Sequence, residues 1–116
     1  LIGVALSNAF PCCPTDDGKR FRAPKRSELV STGNTARLRD ELGAASVRDA
    51  KRVITLGRCA AQTLEPLVKE FGMGLVALPH PSSQGLLMDA PGKGRGMRLE
   101  DLRAAWEKRL VAALLC

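Results

Sequence analysis

A chain of 116 residues with 45% hydrophobic content is long enough for one packed domain, and that composition excludes a disordered chain. Eighteen Lys and Arg against twelve Asp and Glu leave a net charge of +6, which favours a polyanionic partner over an acidic small molecule, with ordinary basic solubility as the alternative. No apolar stretch reaches the roughly 18 to 20 residues needed to span a bilayer, so a soluble, cytoplasmic protein with no membrane partner is expected.

In chain order, the first element is the hydrophobic run Ile2–Leu6, which reads as a strand. It opens abruptly, without an initiator methionine, basic flank or cleavage site, and the expectation is the C-terminal part of a longer domain. Ser7-Asn8-Ala9-Phe10 follows as a loop. The segment Gly18 to Arg26 carries five basic residues and no acid. It reads as an exposed loop whose Lys19, Arg20 and Arg22 can follow phosphates, or as a solvated charge run. Asn34 can cap a helix whose Leu38 and Leu42 face inward, with Gly43 as a stop.

Arg52–Leu56 reads as the second strand and Gly57 as its turn. A helix from about Cys59 to Phe71 then places Ala60, Leu64, Leu67 and Phe71 on one face, with Pro66 expected to kink or divide it. Gly74–Leu78 is the third strand and ends in Pro79-His80-Pro81-Ser82-Ser83. Ala90 to Arg98 reads as a flexible connector, because it lacks the full phosphate-loop pattern and follows no strand directly. The last helix, Leu99–Leu115, keeps Leu99, Leu102, Trp106, Leu110 and Ala113 at a spacing of three or four. Cys12, Cys13, Cys59 and Cys116 lack the paired spacings of a zinc site, so reduced thiols and no metal are expected.

Strands alternating with helices imply crossover connections and a parallel sheet covered on both faces, an α/β domain over residues 1–116 with three α/β/α layers. Ligands of such sheets lie beyond the carboxyl ends of the strands. That rule gathers the Ser7 to Phe10 loop, Gly57-Arg58 and the Pro79 to Gln84 loop at one rim. His80, the single histidine of the chain, stands there between two prolines that fix the backbone on both sides. An imidazole so placed can stabilise developing negative charge or move a proton. The plainer alternative is a rim histidine satisfied by a neighbouring carbonyl.

These rim residues together resemble the uracil-DNA glycosylase superfamily. His80-Pro81-Ser82-Ser83 matches the His-Pro-Ser type loop after the last sheet strand. Ser7-Asn8-Ala9-Phe10-Pro11-Cys12 and Phe21-Arg22-Ala23-Pro24 keep the layout of the iron-sulfur branch, in which an asparagine ends an earlier strand and a cysteine follows four residues later. Val53 to Ala60 resembles the family's strand, glycine turn and small-residue helix start. The matches run from about Ile2 to Leu87 in consistent order.

The resemblance implies a DNA repair enzyme that flips out and excises uracil or a related deaminated base, its partner being DNA that contains such a base. His80 would donate a hydrogen bond to the developing uracil anion, and Asn8 would read the edge of the base. Gly57, Arg58, Ser82, Ser83 and Gln84 would meet the DNA, together with Lys19, Arg20 and Arg22. Leu86 or Leu87 would either wedge into the duplex or pack onto the sheet. The iron-sulfur branch needs four cysteines. Cys12 alone matches and Thr32 occupies the place of the last ligand, so no cluster and no other cofactor are expected. The family's water-positioning element and its base-stacking aromatic belong upstream of Leu1.

From the residues themselves, Asn8 also reads as a turn asparagine, the serines as loop caps and Arg58 as a surface cation. Two other classes of function stay open. One is a nucleic-acid-binding module of the same fold without turnover, and the other is a small α/β domain that binds free nucleotides.

Overall fold

The structure, a computed structural model, describes residues 6–10, 14–20 and 22–115. Its elements are α1 (Arg26–Leu29), α2 (Thr32–Val47), β1 (Arg52–Leu56), α3 (Arg58–Glu70), β2 (Gly74–Leu78), α4 (Ser83–Asp89), a tight turn at Pro91–Gly94 and α5 (Leu99–Leu115). The two strands pair in parallel, in register from Arg52 opposite Gly74 to Leu56 opposite Leu78. Parallel pairing needs a crossover, which α3 provides. Three strands were expected from the sequence, and the described sheet has two. The run Ile2–Leu6 lies outside the described residues apart from Leu6, which is exposed.

The core lies where α2 and α3 meet. Leu38 and Leu42 of α2 pack with Leu67 and Val68 of α3, and the register partners Val53 and Leu75 bring one face of the sheet against them. Burying each such side chain contributes about 1.5–3 kcal/mol, so this contact dominates the stability of the fold. α5 packs against β2 and α4.

The helix ends explain how each helix delivers the chain to a strand. At the end of α2, Ala50 N–H bonds the Ala45 carbonyl at 3.0 Å and Asp49 N–H the Ser46 carbonyl at 3.0 Å, with Asp49 left-handed at φ 60°. At the end of α3, Met73 N–H bonds the Val68 carbonyl at 3.2 Å and Gly72 N–H the Lys69 carbonyl at 3.2 Å, with Gly72 at φ 64°. Both are Schellman closures, which reverse the chain and satisfy the last carbonyls. Each is followed by strand within three residues of the left-handed position.

Several local expectations are corrected. Ser31, not Asn34, caps α2, and its Oγ accepts the Asn34 N–H at 3.4 Å. Gly43 does not stop that helix. One glycine costs a helix only about 1 kcal/mol, and Gly43 faces the ring of Phe71, whose Cε1 a Cβ at this position would meet at an ordinary contact distance of 3.7 Å. Pro66 does not divide α3, which is continuous from Arg58 to Glu70. Ala90 to Arg98 is not simply a loose connector. Gly92 and Lys93 are left-handed, and the buried Gly94 sits against Leu87 and Leu102. Among the described residues no helix is long and apolar enough to cross a membrane.

Candidate active site around His80

The site begins where the sheet ends. Gly57 N–H donates to the Leu78 carbonyl at 2.8 Å, adding one bond beyond the paired strands and drawing the turn after β1 to the loop after β2. Gly57 has φ 99°, a conformation that favours glycine, and a Cβ there would meet the Cβ of His80 at 3.4 Å and its Cδ2 at 3.6 Å. On the other side Gly85, in the first turn of α4, packs on the His80 backbone. A Cβ on Gly85 would fall 2.3 Å from the His80 carbonyl oxygen. His80 is therefore seated between two glycines from two different elements.

The imidazole is exposed, and its Nδ1 accepts the Ser82 N–H at 3.1 Å. An acceptor at Nδ1 places the proton of the neutral ring on Nε2. The nitrogen facing away from the loop is then a hydrogen-bond donor. The alternative of a ring satisfied by a neighbouring carbonyl does not describe this arrangement. Ser82 also caps α4, its Oγ accepting Gly85 N–H at 3.1 Å, which leaves the hydroxyl proton to donate elsewhere. Ser83 and Gln84 follow on the first turn of α4, both exposed.

Arg58 begins α3 directly after Gly57 and is exposed, as is the thiol-bearing Cys59. Gly57, as N-cap, offers no side chain to the first amides of α3, and no acidic residue lies in that turn. The amides and the Arg58 cation make this end of the helix electropositive. Gly57, Arg58, His80, Ser82, Ser83 and Gln84 are thus gathered at one end of the sheet. Leu86 is buried and lines a cleft of about 150 Å³ with Pro79 and Trp106, so of its two expected roles it takes the packing one. Leu87 packs against Gly94.

Asn8 is placed by α2. Its backbone carbonyl accepts from Arg37 Nη2 at 2.8 Å, while the Asn34 side-chain amide donates to the Ala9 and Leu29 carbonyls, both at 2.8 Å. Arg37 also bonds Asn34 Oδ1 at 2.9 Å and Glu41 at 3.0 Å, and Ser7 Oγ donates to Glu41. Residues 34, 37 and 41 share one face of α2 and together grip residues 7–9. The Asn8 side chain is exposed, and none of the described hydrogen bonds joins residues 7–22 to the His80 loop.

The basic segment divides into two kinds of residue. Lys19 and Arg20 sit on a turn built by Asp17, whose Oδ1 accepts their backbone N–H groups at 2.8 and 2.9 Å, and both side chains are exposed. Those amides, Arg20 first, hold the Asp17 carboxyl below the usual range. Arg22 is differently employed. Its guanidinium bonds Glu28 through two nitrogens, at 2.6 and 3.1 Å, and Asp16 at 3.0 Å. The hydrogen bonds from Arg22, followed by the Lys25 amide, pull the Glu28 carboxyl down to about 2. The charge of Arg22 is compensated inside the chain, whereas those of Lys19 and Arg20 face solvent. Phe21, Pro11 and the cysteines 12, 13 and 116 lie outside the described residues.

Trp106 was legible in the sequence only as part of an apolar stripe. Its indole Nε1–H donates to the Pro79 carbonyl at 2.8 Å, next to His80. The signal that could have found it is general: a half-buried indole needs an acceptor. Among the described residues no cluster of His, Cys, Asp and Glu could hold a metal ion. Comparison with known proteins found no matching family model, no matching curated protein and no matching solved structure.

Proposed function

We propose that the chain is a glycosylase of the uracil-DNA glycosylase superfamily, built on a three-layer α/β/α domain, and that it excises uracil or a related deaminated base from DNA. The observation that carries this reading is the ring of His80, with Nδ1 occupied by the Ser82 amide and Nε2–H presented outward beside the start of α3. Cleavage of the N-glycosidic bond leaves cationic character on the sugar and negative charge on the departing base. His80 Nε2–H donates to the 2-oxo group where that charge develops. Water supplies the hydroxyl that ends on C1′, and the released base regains a proton.

Asn8 reads the base edge with a side-chain amide that offers both a donor and an acceptor. Gly57, Arg58, Ser82, Ser83 and Gln84 take the flanking phosphates, with Lys19 and Arg20 tracking the strand further out. Arg22 serves this surface by holding its loop through Glu28 and Asp16.

One observation favours a second reading, a nucleic-acid-binding module without turnover. Among the described residues no carboxylate is hydrogen-bonded to the His80 loop to direct a water. The two readings separate in one assay, release of free base from a labelled uracil-containing oligonucleotide, single- and double-stranded, with His80→Ala as control. Removing one such donor costs about 100- to 1000-fold in rate, so release that falls by that factor with DNA affinity intact supports the glycosylase. Salt-sensitive DNA binding with no release in either protein supports the binding module.

A further inference from the structure

We infer that Trp106 is the positioning residue of the His80 imidazole, an inference that rests on the reading of His80 as the working group of the site. Proline has no N–H, so the Pro79 to Pro81 stretch holds few backbone donors with which to fix itself. Its anchors are accepted bonds and close contacts. Leu78 O takes the Gly57 N–H, His80 O is packed by Gly85, and His80 Nδ1 takes the Ser82 N–H. The one described side chain of a distant element that donates into this stretch is Trp106, from α5, whose Nε1–H meets the Pro79 carbonyl at 2.8 Å.

That carbonyl belongs to the peptide plane joining Pro79 to His80. Fixing the plane fixes the His80 N–Cα bond, since a trans peptide is rigid, and the close packing of Gly85 on the His80 carbonyl limits rotation about that bond, so together they direct the Cα–Cβ bond. With that bond directed, Gly57 on one side and the Ser82 amide on the other leave the ring one orientation, Nε2 outward. Trp106 does not touch a substrate in this scheme. It acts through the loop, while its ring lines the cleft with Pro79 and Leu86.

The chain has one histidine and one tryptophan, so both partners give single, unambiguous resonances. The experiment records the imidazole ¹⁵N shifts with the ring neutral, in the full chain and in Trp106→Phe, which keeps an aromatic ring in the cleft and deletes the donor. Arg109→Gln is the control. It loosens the same cleft by breaking the 3.2 Å pair with Asp89 but leaves the indole bond in place. The wild type is expected to show one acceptor nitrogen and one protonated nitrogen, well separated. Trp106→Phe is expected to draw the two shifts together as the tautomers exchange, with Arg109→Gln like the wild type. Unchanged shifts in Trp106→Phe, or an equal change in Arg109→Gln, would overturn the inference.

Base release is measured on the same three proteins. There kcat is expected to fall about tenfold in Trp106→Phe with KM unchanged, the loss of one well-placed hydrogen bond. Absence of release in the wild type together with a normal tautomer response removes the glycosylase reading and leaves the positioning relationship standing. Normal release in Trp106→Phe removes the positioning role and leaves the glycosylase reading standing.

Discussion

Gly85 and His80 are in backbone contact: a Cβ on Gly85 would lie 2.3 Å from the His80 carbonyl oxygen and 2.9 Å from the His80 Cβ. The first turn of α4 can occupy its place only because position 85 carries no side chain. Gly85→Ala is expected to push α4 away from the loop and lower stability by about 1–3 kcal/mol, the usual cost of overpacking. Gly33→Ala is the matched comparison, because Gly33 lies in the first turn of α2 with open space around it. That change is expected to raise stability by about 0.5 kcal/mol through loss of unfolded-state freedom. Urea unfolding of the two variants measures both, and equal effects would show that the contact with His80 does not constrain position 85.

Arg20 and Arg22 are two residues apart and should behave differently on DNA. Arg20→Gln removes an exposed cation and is expected to lower the slope of log affinity against log salt by about 0.7 to 0.9, the value of one phosphate contact. Arg22→Gln strands the carboxylates of Glu28 and Asp16, so the expected result is a loosened 14–30 segment with a smaller direct effect on that slope. Anisotropy titrations at several salt concentrations, alongside proteolysis of the segment, distinguish the two. A larger salt effect for Arg22 would reverse the assignment.

Acid should release the same segment over a defined range. The Glu28 carboxyl is held down to about 2 from its ordinary 4.5 by hydrogen bonds from Arg22 and then the Lys25 amide. A folded-state value below the unfolded one means that the contribution is fully present above 4.5 and is lost as the pH falls toward 2. The stability difference between wild type and Glu28→Gln should therefore be constant above 4.5 and shrink below it. A difference that grows on acidification would contradict the pairing.

Thr55 offers a stabilising change. Its hydroxyl is buried on β1 and has no hydrogen-bond partner among the described residues. A buried unsatisfied hydroxyl costs about 1–3 kcal/mol, and valine keeps the branched shape, so Thr55→Val is expected to raise stability by about 1 kcal/mol. A shift of the urea midpoint with the slope unchanged is the expected record. Destabilisation would mean that the hydroxyl does have a partner in solution.

The parts of the fold that were legible in the sequence share a physical character. β1, β2 and α5 appear at the bounds expected from their sequence patterns. Buried parallel strands are short continuous apolar runs, and a helix laid on a core repeats at three and four residues. Short elements lack such a signal. α4 has seven residues, too few for a periodic stripe, and it rests on two contacts local in the chain, the Ser82 cap and the docking of Gly85 on His80. Gly43 and Pro66 were read by local propensity, which the packing of α2 on α3 overrides.

The same division holds at the site. His80, Gly57 and Ser82 are brought together because strand ends and glycine turns mark a rim in the sequence. The partners of Trp106 and of the face formed by Asn34, Arg37 and Glu41 went unread because an indole on an apolar stripe and polar side chains on one face of a helix declare no partner. Their acceptors lie far away in the chain, and only the folded arrangement names them.

The grip of α2 on residues 7–9 falls largely on the main chain. Arg37 holds the carbonyl of Asn8 and Asn34 that of Ala9, whereas the side chain of Asn8 takes no part. Position 8 is therefore an interchangeable fitting on a fixed mount. A different residue there would be presented from the same place without rebuilding its support, so under the proposed function a change of base preference would take a single substitution, with the scaffold indifferent to the outcome.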